Sequence, residues 1–150
     1  MAVEQLRRFL RPHRIIALDT SIFIYQLEAN QHYLPLTDSV FEWMERSSHQ
    51  AITSTITMTE LLVPAHREND KKKVDAFYGL LSIYPNLQWV VPDLQIADLA
   101  ARLRAAHRLQ TPDALQAAAA VASNATALIT NDPVFTRIEA FETAVLDDYL

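Results

Sequence analysis

Five short apolar runs, at 15–18, 50–54, 87–91, 125–130 and 143–146, are partly β-branched and too short to make helices. Such runs read as strands. Between them the apolar residues recur at helical spacing. Val40, Phe41 and Met44 mark one face of a helix beginning near Leu36, Leu61, Leu62 and Ala65 belong to a second, and Val74, Phe77, Leu80 and Leu81 to a third. A fourth runs from Leu94 to Leu109 with Leu99, Leu103 and Ala106 along one stripe, and an alanine-rich helix opens at Asp113. Strands alternating with helices require crossover connections. This pattern predicts an α/β fold with helices on both faces of a mainly parallel sheet. Pro85 and Pro92 bracket the third strand as breakers. The 150 residues hold no repeat and no low-complexity linker, so one domain over 15–150 with a substantial core is expected. Residues 1–14, with Arg7, Arg8, Arg11 and Arg14, read as a basic arm or a short extra helix.

Several function classes fall away on composition. There is no cysteine, which excludes disulfides, thiolate zinc sites and cysteine nucleophiles. That absence suits a reducing cytoplasm. Residues 1–14 lack the apolar core of a signal peptide, and no run approaches bilayer length, so a cytoplasmic protein without a membrane partner is expected. The single glycine, Gly79, stands in no phosphate-binding loop, and nucleotide cofactors need such glycines for close backbone approach. His13, His32, His49, His66 and His107 show no zinc-binding spacing, and no serine sits in a glycine-flanked elbow. Tyr25, Tyr33, Tyr78, Tyr84, Trp43 and Trp89 fall among apolar positions and read as core rather than base-stacking platforms.

Four acids stand at one kind of place, just beyond a strand or at the start of a helix. Asp19 follows Arg14–Leu18, Glu60 lies beyond Ala51–Thr55, Asp113 opens the alanine-rich helix, and Asp132 follows Ala125–Thr130. In an open parallel sheet the carboxyl ends of the strands share one edge, and ligands bind in the crevice there. Each acid also has a capping explanation. Asp19 fits as the cap of a helix beginning at Thr20, and Thr57-Met58-Thr59-Glu60 matches a capping box. Thr111-Pro112-Asp113 reads as a helix opening with Thr111 as cap, and Asp132 precedes Pro133 as a cap would. Capping explains the positions but not the residue type, because Ser, Thr or Asn would serve equally well. Four converging carboxylates repel one another without a cation, and all-oxygen ligands suit Mg²⁺ or Mn²⁺. Metal-dependent hydrolysis is the chemistry this arrangement points to, with Asp19, Glu60, Asp113 and Asp132 as catalytic and metal-ligating residues. Thr20, Ser21, Thr130 and Asn131 stand beside the acids, placed either for substrate contact or for turn and cap duty.

The segments Ala17–Tyr25, Ser54–Leu62, Leu109–Ala118 and Leu128–Phe135 together resemble those of PIN-domain nucleases, especially the VapC-type toxins of bacterial toxin–antitoxin pairs. The four acids match that family's acids in order and in context, and the likeness runs from Ile16 to about Leu146. The resemblance implies a three-layer αβα fold with a five-stranded sheet in the order 3-2-1-4-5. It also implies Mg²⁺ or Mn²⁺ dependence, cleavage of RNA, a homodimer and a small antitoxin partner. Ile22, Tyr25, Leu34 and Phe41 are candidates to line the partner surfaces, or else belong to the core. The departure from the family is the basic arm at Met1–His13.

Charge is distributed unevenly. The net charge of −5 disfavours bulk nucleic-acid binding. Positive charge nonetheless clusters in the arm, at Lys71–Lys73, and at Arg102, Arg104 and Arg108. Such runs are commonly solvated helix faces, but Arg108 and Gln110, just before Asp113, are positioned to touch a phosphate backbone. Two rival readings stay open: a non-catalytic PIN-like module that binds RNA or protein, and a phosphate-transfer protein using Asp19. The second lacks the further acid two residues on, since Ser21 stands there.

Overall fold

The computed structural model describes residues 2–150; Met1, the first residue of the expected arm, lies outside the described residues. Strands β1 (Ile15–Leu18), β2 (Gln50–Ser54), β3 (Leu87–Val90), β4 (Ala127–Thr130) and β5 (Glu142–Val145) form one sheet in the order β3-β2-β1-β4-β5. Every pairing is parallel. Helix α1 (Ala2–Leu10) precedes the sheet, helices α2 (Thr20–Leu27), α3 (Leu34–Met44), α4 (Ile56–Arg67), α5 (Lys71–Ser82), α6 (Leu94–His107) and α7 (Thr111–Ala122) supply the crossovers as far as β4, and 3₁₀ turns at Pro133–Arg137 and Leu146–Tyr149 flank β5. The expected α/β architecture and strand order are both present.

Side-chain alternation along the strands divides the interior in two. Ile16 and Leu18 of β1, Ala51 of β2, and Ala127 and Ile129 of β4 face one cluster with Leu6, Phe23, Val40 and Met44 from α1–α3. Ala17, Ile52 and Leu128, one residue out of phase, face a second cluster with α6 and α7. A strand sends successive side chains to opposite faces, and a parallel sheet is covered on both. This is why the strands read as unbroken apolar runs. The second cluster is built largely of small residues: Ala114, Ala117, Ala118, Ala119 and Ala120 are all buried, so α7 lies close to the sheet.

Residues 2–10 form helix rather than loose chain. The apolar face of α1 carries Leu6 and Leu10, both buried and packed with α3 residues in the first cluster. His13, at the exit from α1, is buried, with Nδ1 2.7 Å from the Thr126 hydroxyl.

Burial decides one open reading and corrects another. Ile22 and Phe41, candidates for a partner surface or for the core, lie in the first core cluster. Tyr78 is 56% exposed, not core, because it sits on the outer side of α5, which buries only Leu81. With one glycine in the chain, the left-handed turns are made by Ala29, Asn69, Asn86, Arg108 and Asn124.

The packing of α1 generates a test. Leu6→Ala removes a fully buried side chain and leaves a cavity, for an expected loss of about 2–4 kcal/mol. A urea midpoint unchanged from the parent would contradict the placement of α1 in the core.

Candidate active site

The parallel strands all end at one edge, and the four acids lie along it. Asp19 is the first residue beyond β1, and its backbone N–H donates to the Ile129 carbonyl, extending the β1–β4 ladder by one rung. Its side chain caps α2, with Oδ1 accepting from the Thr20 N–H at 2.8 Å. Oδ2 accepts from the Thr130 hydroxyl at 2.7 Å. The Thr130 oxygen also accepts from the Asp132 N–H at 2.9 Å, so one buried hydroxyl stands between two of the acids. Asp132 in turn caps the following 3₁₀ turn through the Val134 N–H.

Glu60 is held from the other side. Thr20 donates its hydroxyl proton to Glu60 Oε1 at 2.7 Å, which corrects the capping-box expectation. Helix α4 begins two residues earlier than that box requires, with Thr55 at its N-cap, and Glu60 therefore points to α2 instead of its own helix start. The opening of α7 shifts similarly: Gln110 is the N-cap and Thr111 the first helical residue, with no side-chain cap bond. Asp113 therefore sits in the first turn of α7, where a negative charge is favoured by the helix dipole.

A buried polar network lies beneath the acids; Thr20 and Thr57 were given other roles from the sequence, and Gln116 and Thr53 were not singled out. Gln116, one helical turn beyond Asp113, donates to the Thr57 hydroxyl and accepts from the Ser54 N–H at 3.2 Å. Thr57 lies 3.1 Å from Thr20 and 2.8 Å from Thr53, whose hydroxyl donates to the Leu18 carbonyl. The network ties α7, which carries Asp113, to α4, which carries Glu60. A glutamine within an otherwise alanine-rich buried face, three residues after an acid, was the available signal.

The acids feel one another's charge. Burial raises the Asp19 carboxyl to about 6, against the help of Thr130 and the Thr20 N–H, with Asp113 and Glu60 adding repulsion. Burial also raises Asp113, with Asp132 and Glu60 pushing the same way. Among the described residues, no three His, Cys, Asp or Glu side chains are close enough to enclose an ion between them. Mg²⁺ does not require that enclosure, because it keeps several waters and binds through one or two carboxylates. The donor set fits such an ion. Within the described residues the Asp113 carboxylate, Glu60 Oε2 and Asp132 Oδ2 receive no hydrogen bond, leaving acceptors turned to no protein partner.

The remaining neighbours have duties inside the protein. Ser21 Oγ accepts from the Asn131 N–H at 3.3 Å. Asn131 donates to the Tyr25 hydroxyl and accepts from the Asp147 N–H. The rings of Tyr25 and Tyr33 stack with centroids 4.1 Å apart, partly buried against the first core cluster.

Residues 16–140 match the PIN domain. The chain belongs to the PIN domain family. Solved structures similar to this PIN domain include a toxin–antitoxin complex from Klebsiella pneumoniae (TM-score 0.69, 22% identity, covering 87% of this chain and 97% of that one). A DNA-bound VapBC from Salmonella typhimurium aligns with a TM-score of 0.69 at 20% identity over 89% of this chain and 98% of the other. VapBC2 from Rickettsia felis, bound to a DNA fragment from its promoter, gives 0.66 at 23% identity over 87% and 98%. At these identities the likeness is one of fold. Comparison with curated proteins finds no match.

Two tests follow from the geometry. Gln116→Leu strands the Ser54 N–H and leaves Thr57 without its donor, for an expected loss of about 1–3 kcal/mol; thermal unfolding measures it. Asp19 provides the second. Its folded-state value of about 6 lies above the ordinary 3.8, so ionisation costs stability in the metal-free protein. The cost is absent below about pH 4, where the carboxyl is protonated folded or unfolded, and is complete above about pH 6, at up to about 3 kcal/mol. Asp19→Asn removes it. The stability advantage of Asp19→Asn over the parent is expected to widen from pH 4 to pH 7 in urea titrations with EDTA, whereas a gap independent of pH would contradict the burial of this charge.

Proposed function

We propose that this PIN domain is a divalent-metal-dependent endoribonuclease and the toxin of a toxin–antitoxin pair. The observation that carries the reading is the buried Asp19 carboxyl held beside Asp113 and Glu60, each raising its charge cost. Like charges are gathered there at a cost that a cation would remove. The fold likeness to toxin–antitoxin complexes supports the second half of the reading. A cognate small antitoxin, a homodimer and a cytoplasmic setting follow from the same resemblance. No helix among the described residues is long and apolar enough to cross a membrane.

Asp19 and Asp113 are assigned as the direct ligands, with Glu60 and Asp132 in the same site directly or through water. When bound, Mg²⁺ or Mn²⁺ would lower the pKa of water and offset charge on the phosphoryl group. The protein's own contribution is orientation. The Thr20 proton fixes Glu60 Oε1 as an acceptor and the Thr130 proton fixes Asp19 Oδ2, so neither carboxylate turns away from the crevice. Thr20 and Thr130 are therefore positioning residues, and Ser21 and Asn131 hold the β4 end against α2. Of the two roles open to these four residues, support of the acids and their loops is the one their hydrogen bonds favour.

Asp113→Asn keeps a short polar side chain and removes the charge. Cleavage of single-stranded RNA in Mg²⁺ is expected to fall by more than about a hundredfold, beyond the usual cost of an outer-shell change. Millimolar Mg²⁺ or Mn²⁺ is expected to raise the parent's melting temperature and to leave Asp113→Asn unmoved. Equal cleavage by parent and variant would sink the catalytic assignment.

A further inference from the structure

Three arginines converge on the turn between α6 and α7. Arg104 Nε donates to the Leu109 carbonyl at 3.0 Å, and Arg137 Nη1 donates to the His107 carbonyl at 3.0 Å from a different part of the chain. Arg108 ends α6 in the left-handed region at φ 54°, a conformation glycine takes without strain, so the turn carries a guanidinium where bare backbone would serve. All three residues are exposed. Among the described residues none of them has a carboxylate within 4.0 Å, whereas Arg7, Arg11 and Arg102 all do. Each tether uses one of the five donors of a guanidinium and leaves four. Arg102, grouped with Arg104 and Arg108 by sequence, is paired with Asp98 and drops out. Arg137 joins in its place.

The turn lies within five residues of an acid along both chain segments that reach it. Asp113 follows Arg108 by five residues, and Asp132 precedes Arg137 by five. Five residues span at most about 18 Å even fully extended. The rim is thus within a few nucleotides' reach of the crevice along an extended strand. The crevice itself, and a chain of net charge −5, repel a polyanion. A substrate of that charge needs cations fixed beside the acids but not paired with them.

We propose that Arg104, Arg108 and Arg137 form a phosphate-binding rim that holds the backbone of single-stranded RNA beside the cleaved bond. The inference rests on the ribonuclease reading above. Arginine suits the task because its planar fork of donors matches phosphate oxygens. The rim fixes where the strand lies and carries no base preference, since phosphate contacts position without reading sequence.

The experiment is fluorescence anisotropy of a labelled, unstructured RNA oligonucleotide with the full chain in EDTA, across a salt series. The variant R104Q/R108Q/R137Q keeps amide donors for the carbonyl tethers and removes the charge. Its affinity is expected to drop at least about tenfold at low salt, and its salt slope to fall by about 2, at about 0.7 for each lost contact on a single strand. R104K/R108K/R137K is expected to bind within about threefold of the parent, since lysine also binds phosphate as a point charge. R102Q is expected to bind like the parent. An unchanged affinity and slope in the Gln variant overturns the proposal. So does equal loss in the Gln and Lys variants, which would make the arginines helix caps only. Displacement by a glutamate-rich peptide, with RNA binding independent of the rim, would make the rim a protein-docking surface and overturn it as well. Binding is read without metal, so rim-dependent binding by a protein that cleaves nothing would end the hydrolytic reading alone. Cleavage with rim-independent binding would end only the rim.

Discussion

Two hydroxyl protons, on Thr20 and Thr130, organise the carboxyl edge of this protein. Each is donated to a carboxylate oxygen, Glu60 Oε1 and Asp19 Oδ2, at 2.7 Å. A hydrogen bond to an ionised acceptor is shorter and stronger than one between neutral groups. Thr130 does more, because its oxygen also receives the Asp132 N–H and so fixes the loop that carries a third acid. Both threonines are buried, where the low dielectric strengthens a satisfied bond and penalises an unmade one. The acids are thereby oriented although they repel.

This arrangement depends on strand register. Ala17 pairs with Ile52 and Leu128 with Ala17, which brings the ends of β1, β2 and β4 level. Asp19 follows β1 directly, Thr130 is the last residue of β4, and α4 departs just after β2. A one-residue slip of β1 would exchange Ile16 and Leu18 for Ala17 in the first core and turn Asp19 away. The division of the interior into a large-residue cluster and an alanine-rich one opposes that slip, since the two faces are not interchangeable in volume.

Much of this was legible in the chain. The apolar runs located the strands because both sheet faces are buried, and the four acids stood out because each follows a strand or opens a helix. The strand order came through family resemblance rather than periodicity. Partner choice was less visible. Thr57 and Glu60 have the spacing of a capping box, yet tertiary contact with Thr20 wins over the local alternative. Gln116 sits in a helix whose apolar pattern gives no hint that β2 needs an acceptor at Ser54. Arg137 lies far in sequence from the turn it joins, and only the fold brings it there. Local pattern reports burial; it does not report which polar atom meets which.

The near-absence of glycine shapes the denatured chain as well as the folded one. Asn69, Asn86 and Asn124 adopt left-handed backbone that glycine would reach freely. Each costs some local strain in the native state. Each also narrows the range of conformations open to the unfolded chain, so less entropy is lost on folding at that joint. Connections made in this way act as stiff elbows rather than swivels, two of them at the joints that lead the chain into β3 and β4.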